Sequence, residues 1–242
     1  MTGWEAAKQR LYDVFRHVPK PERMNGCPHC VEPDEELCLL AGPVGLVRPE
    51  ALARYAAKAL TTWGGVGEFR YFLPRLLECG ATDAFGYPDP EIVFGKLAAA
   101  GWQTWPIEER DVIEGFLNEW WHETLRHYPV RPPIDTVICA LSATGMDLAP
   151  CLSVWSRLDT DALINHLYDF VMTGLSGGRL TNAFWNRRSP AYHQVLTWLT
   201  GGTAAVAVEA AFAGHSQEPM LERLASVQPA LVPSQGNVDG AP

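Results

Sequence analysis

Cys27, His29, Cys30 and Cys38 concentrate the metal-binding and nucleophilic chemistry of this chain. Half of its six cysteines and one of its seven histidines fall between positions 27 and 38. Cys27-Pro28-His29-Cys30 has the C-x2-C spacing, in which a tight turn points both thiolates at one ion. Cys38 supplies a third sulfur. The fourth ligand would be His29, Cys79 or a distant histidine; His29 adjoins Cys30 directly, which makes joint chelation awkward. Residues 18–48 carry little apolar material, and a zinc clip would offset the ordering entropy of such a loop. The expectation is therefore structural zinc on Cys27, Cys30 and Cys38, with His29 as a further candidate ligand. Two other chemistries fit the same residues. One is a redox or nucleophilic thiol pair. The other is plain packing, with Cys38 beside Leu37, Leu39 and Leu40 on a short helix. Cys79, Cys139 and Cys151 fall on apolar stripes or at a helix end and read as core.

Other constellations are weaker. His122 and His127 are five residues apart, so they do not share a helix face as a zinc-protease pair must. The run Thr173 to Arg179 is glycine-rich but lacks the Gly-Lys-Ser/Thr of a phosphate loop, and reads as a turn between helices. Trp102 and Trp105 flank a helix-to-helix turn. They either staple that turn to its neighbours or stand outside as a hot-spot pair for a partner. Trp185, Arg187 and Arg188 form the one basic, aromatic loop of an acidic chain, suited to an acidic partner or a ligand carboxylate.

These residues must be positioned by helices. Apolar side chains recur at helical spacing almost throughout, as in Trp4, Ala7, Leu11, Phe15 and in Val112, Ile113, Phe116, Leu117, Trp120. No segment alternates with period two. Pro49, Pro90, Pro106 and Pro190 stand where helices begin, and Asp89 and Ser189 precede two of them as candidate caps. Gly64, Gly80, Gly101, Gly145, Gly174, Gly201 and Gly214 follow the stripes as candidate left-handed caps. Pro74 lies inside a stripe and predicts a kink, or a restart at Phe72 or Leu73. The pattern predicts an all-α fold of about ten short helices in antiparallel pairs, either a HEAT- or armadillo-like α-solenoid or an irregular bundle.

One domain is expected over residues 1–228, with a proline-rich joint near 128–133 and a disordered tail over 229–242. The 242 residues are 47% hydrophobic and 19% charged, with net charge −9, which is globular and argues against a nucleic-acid backbone as partner. No apolar run reaches the roughly 20 residues that cross a bilayer, and the first residues lack a secretory pattern. A cytoplasmic protein without a membrane partner is expected.

Several phrases occur together: Gly26-Cys27-Pro28-His29-Cys30, then Thr61-Thr62-Trp63-Gly64, then Phe72-Leu73-Pro74-Arg75-Leu76-Leu77-Glu78, then Glu91-Ile92-Val93-Phe94-Gly95-Lys96-Leu97. They resemble a group of uncharacterised bacterial all-helical proteins over residues 25–120. The resemblance implies a helical fold; it brings no activity, catalytic residue or substrate. That group often has cysteine at the position of His29, which weighs against His29 as a ligand.

The functional expectation is a non-enzymatic scaffold that holds another protein, of inhibitor or immunity type, braced by zinc. The alternative is a metal- or thiol-dependent enzyme centred on Cys27–Cys38, with Arg70 or Glu78 brought close. A small-molecule carrier with an aromatic pocket near Tyr71, Trp102 and Trp105 is the third reading.

Overall fold

Apolar residues at helical spacing become the buried stripes of twelve α-helices in a computed structural model, which describes residues 2–27, 29 and 31–231. Among the described residues the fold is all-α, apart from one two-stranded hairpin. Its contacts fall into two compact units. The first comprises the chain up to Thr124 together with Pro129–Met146; the second comprises Leu125–Tyr128 and the chain from Asp147 onward. The division thus crosses the expected joint between Tyr128 and Pro129, and crosses the chain again between Met146 and Asp147.

The first unit contains α1 (Gly3–Phe15), α2 (Pro33–Leu40), α3 (Pro49–Lys58), α4 (Val66–Ala81), α5 (Pro90–Ala99), most of α6 (Ile107–Arg126) and α7 (Ile134–Ala143). Its centre is α4, whose Phe69, Phe72, Leu73, Leu76 and Leu77 are all at most 1% exposed. Full burial of each such side chain contributes about 2 kcal/mol. Helix α4 runs unbroken through Pro74, so the restart expected at Phe72 or Leu73 does not occur. Gly80 lies inside α4 and is not a cap: a Cβ there would stand 3.1 Å from Phe94 Cε2, so the missing side chain lets α5 approach. Phe94 in turn stacks on Trp120 of α6, with centroids 4.3 Å apart.

The second unit contains α8 (Ala149–Trp155), α9 (Asp161–Gly174), α10 (Pro190–Thr200), α11 (Thr203–Gly214) and α12 (Glu218–Leu231). Helix α9 packs on α12, and α11 on both α10 and α12. Strands β1 (Leu175–Ser176) and β2 (Arg179–Leu180) pair across Gly177-Gly178, both at positive φ, where the sequence predicted only a turn. Two consecutive positive-φ residues match the twist of a tight hairpin, and glycine adopts them without Cβ strain.

Caps follow side-chain chemistry. Ser189 Oγ accepts from Tyr192 N at 3.2 Å and Thr160 Oγ1 from Leu163 N at 3.4 Å. Asp89, the other expected cap, accepts no such bond. Among the described residues no single helix is long and apolar enough to cross a membrane.

Candidate functional site

The cysteine segment enters the first unit through backbone pairing. Cys27 N–H donates to Thr62 O at 2.9 Å, Gly64 N–H donates to Asn25 O at 2.6 Å, and Gly26 bridges Trp63. Trp63 is 1% exposed, so the chain before Cys27 is laid over a core side chain. Val31 N–H then returns to Cys27 O at 3.1 Å, closing a turn. Cys27 is half-buried, whereas His29 and Cys38 are exposed. Cys30, the other sulfur of the expected pair, lies outside the described residues. Among the described residues no three His, Cys, Asp or Glu side chains form a metal-binding group; Cys27, His29 and Cys38 do not form one without Cys30.

Beyond the cysteines the segment is held by polar ties. Met24 N–H donates to Glu36 Oε1 at 3.0 Å, Lys20 Nζ to Leu40 O at 2.5 Å, and Arg54 pairs with Glu35. Among the described side chains between residues 20 and 47, the buried apolar ones are Met24, Leu39 and Val47. Leu37 and Leu46 are instead 67% and 77% exposed.

This segment ends as one wall of a cleft. Pro43, Val44 and Gly45 face Tyr12 and Phe15 of α1 and Tyr71 and Pro74 of α4 around a space of about 330 Å³. Arg75 anchors that wall by donating from Nε to Val47 O at 2.9 Å. The same guanidinium donates from Nη1 to Glu78 Oε2 at 2.7 Å, and Tyr12 donates its hydroxyl to that oxygen at 2.6 Å. Burial, and then the Glu78 carboxylate, pushes the Tyr12 hydroxyl well above its ordinary value, so it stays protonated and remains a donor. Burial also pushes the neighbouring Cys79 thiol up to about 11, with Arg75 opposing, so Cys79 is no nucleophile at neutral pH. The rest of the cleft offers ring faces and aliphatic carbon, with the Arg16 side chain also in its lining.

Arg70 and Glu78 were candidates to join the cysteines, and both are committed elsewhere. Glu78 holds Tyr12 and Arg75. Arg70 forks Glu109 through Nε and Nη2 and lies 5.4 Å over the Trp105 ring. His17 Nε2 reaches Glu109 from the surface at 3.2 Å.

The expected partner-binding aromatics divide. Trp102 is 2% exposed and donates to Thr144 O at 2.9 Å, so it staples its turn to the end of α7 and offers no surface. Trp105 is half-buried against Phe15 and Phe69. Trp185 is 7% exposed and edge-on to Tyr192; Arg187 and Arg188 beside it in sequence are exposed. The aromatic pocket read near Tyr71, Trp102 and Trp105 is thus corrected: Tyr71 lines a cleft, but with Tyr12 and Phe15. Sequence reasoning missed Tyr12. Its one signal is a tyrosine sited between the buried Leu11 and Phe15 of an amphipathic helix.

Comparison with protein families, curated proteins and solved structures finds no match to this chain.

Proposed function

We propose that this chain is a non-enzymatic, cytoplasmic interaction protein. Its first unit takes an apolar side chain of a basic partner protein in the cleft between Tyr12 and Tyr71. Zinc on Cys27, Cys30 and Cys38 braces the segment that forms the cleft's outer wall. HEAT-like stacking of helix pairs, and the likeness to the bacterial helical group, belong to the same reading.

One observation carries it. The residue next to the lining Gly45 is Leu46, which is 77% exposed, beside a cleft lined by two tyrosines, a phenylalanine, two prolines and two valines, with Arg16 as its one charged side chain. Aromatic clefts with an adjoining exposed leucine are the chemistry of interface cores, which exclude water and hold hot-spot side chains. The net charge of −9 favours a basic partner through long-range attraction. Support for the clip is the sparse burial of residues 20–47, where three core side chains among the described residues are few to order so long a segment.

The test has two arms. Metal analysis of native protein gives one zinc per chain, lost in the Cys27→Ser, Cys30→Ser double variant; hydrogen exchange at 43–47 then quickens while α4 and α5 stay protected. Metal-free native protein sinks the clip. A photo-crosslinker at position 46 traps one basic protein, and Tyr12→Ala with Tyr71→Ala abolishes the adduct. An adduct indifferent to those substitutions sinks the cleft as the docking site.

A further inference from the structure

We infer that the second unit carries a separate binding site for one small, neutral, largely apolar molecule, in the cleft between α8 and α10.

The two helices present facing stripes. Helix α8 and its C-terminal turn contribute Leu152, Ser153 and Ser156; α10 contributes His193, Thr197 and Trp198. Each set follows the three-and-four spacing of a single helix face. Thr203, the first residue of α11, also lines the space, which measures about 670 Å³. That volume is in the range of ligand pockets, roughly 300–1,000 Å³.

The floor is fixed. Trp198 stacks on Trp155 with centroids 5.0 Å apart and planes at 25°. Its indole N–H is already used, donating to Ser156 Oγ at 2.7 Å, and that hydroxyl donates onward to Leu152 O at 2.8 Å. Gln194 is pinned at both ends of its amide: Nε2 donates to Asp147 Oδ1 at 2.6 Å, and Oε1 accepts from Leu148 N at 3.2 Å. A cleft whose side chains are held before a ligand arrives loses little entropy on binding.

The lining decides the ligand's chemistry. None of the lining residues is Lys, Arg, Asp or Glu. A cationic ligand would lose hydration with no counter-charge in return, and an anionic one would meet a single imidazole, His193. The floor offers ring and aliphatic carbon. Ser153, His193, Thr197 and Thr203 make no side-chain hydrogen bond among the described residues and are left for one or two polar atoms of the guest. A partner helix fits poorly. Helix α8 has seven residues, about 10 Å of wall, whereas three turns of a docking helix need about 16 Å. The occupant is therefore a small molecule with a flat or branched apolar body and a hydroxyl, carbonyl or similar neutral group.

Two probes of one skeleton test this on the full chain: neutral N-phenyl-1-naphthylamine and its sulfonated relative 8-anilinonaphthalene-1-sulfonate. Fluorescence titration of the neutral probe saturates at one per chain, and the sulfonate binds at least about tenfold more weakly. Ser153→Trp and Thr197→Trp, both at exposed positions, fill the cleft and weaken the neutral probe at least about tenfold, with circular dichroism and melting unchanged. Tyr71→Ala in the first unit leaves its affinity unaltered. Probe binding that ignores both tryptophan substitutions, fails to saturate, or prefers the sulfonate overturns the inference. So does a chain that dimerises and becomes monomeric in Ser153→Trp, because the cleft then belongs to a second copy.

Discussion

Replacing Arg70 by alanine should cost more than removing the charge of the carboxylate it holds. Glu109 lies in the first turn of α6 with its side chain 2% exposed, while Arg70 is 28% exposed. The pair is therefore asymmetric in access to water. Arg70→Ala leaves the buried carboxylate with the surface His17 imidazole as its remaining ionisable neighbour, and breaking a buried pair in that way costs about 3–5 kcal/mol. The helix N-terminus still favours the negative charge, which returns about 0.5–1 kcal/mol. Loss of the guanidinium from the Trp105 face subtracts a similar amount, about 0.5–1 kcal/mol. These two adjustments offset each other, so the expected net loss for Arg70→Ala stays at about 3–5 kcal/mol. Glu109→Gln leaves a neutral amide in the same pocket and an Arg70 that can turn to solvent, so its loss should be about 1–2 kcal/mol. The double variant Arg70→Ala, Glu109→Gln should be more stable than Arg70→Ala alone, because no buried charge remains. Urea unfolding followed by both tryptophan fluorescence and far-ultraviolet circular dichroism measures all three, with a mid-point assigned to each unit if the two probes separate. If Arg70→Ala is no more destabilising than Glu109→Gln, or if the double variant is worse than Arg70→Ala, the carboxylate is not a buried charge dependent on Arg70.

Two further outcomes follow from the same packing. Burial raises the Cys79 thiol from 9.0 to about 11 and the Cys151 thiol to about 12, and pushes Cys139 up as well. Above pH 9 the unfolded chain loses these protons first while the folded chain keeps them, so stability falls with rising pH by about 1.4 kcal/mol per unit for each thiol. Urea midpoints between pH 8 and 11 should show this fall, with a shallower slope in Cys79→Ala; an unchanged slope in that variant refutes the assignment. Gly80→Ala should destabilise by about 1 kcal/mol: the new Cβ meets Phe94 and Val93 at 3.1 and 3.2 Å, and overpacking of about 1–3 kcal/mol outweighs a helix-propensity gain of about 1 kcal/mol. A raised urea midpoint would show that α5 has room to retreat.

Period and punctuation made the helices legible because both are local. Leu52, Tyr55 and Ala56 sit where the 3.6-residue repeat places them, and all are buried. Ser189 caps α10 as its side chain predicts. Local signs misled where tertiary packing outweighs them. Pro74 is buried in the centre of α4, where burial of that helix outweighs a missing backbone bond. The disordered tail is expected from 229, yet α12 continues through Pro229 to Leu231, which is buried. Its stripe of Met220, Leu224, Val227 and Leu231 has helical spacing all along. The first-unit cleft was illegible for another reason. Tyr12, Pro43 and Tyr71 are distant in sequence and meet only because α1 packs on α4 and the chain after α2 folds back over both.

The cysteine segment shows what that non-local information changes. From sequence, residues 18–48 read as an apolar-poor entrance that a zinc clip would order, with a thiol pair or plain packing of Cys38 as the other readings. In the fold, its first part is tied independently, by Cys27 to Thr62, Asn25 to Gly64 and Gly26 to Trp63. Its far end is tied too, by Arg75 to Val47. What lies between is the part with exposed Leu37, Cys38 and Leu46. A zinc ion on Cys27, Cys30 and Cys38 would thus act on a loop already closed at both ends. Closing a shorter sub-loop removes less entropy than closing the whole, because the closure term grows only with the logarithm of length. On this physical ground, loss of such a metal would free the wall of the Tyr12–Tyr71 cleft and would not unfold the unit, so the proposed clip would regulate what the cleft can hold more than whether the protein folds.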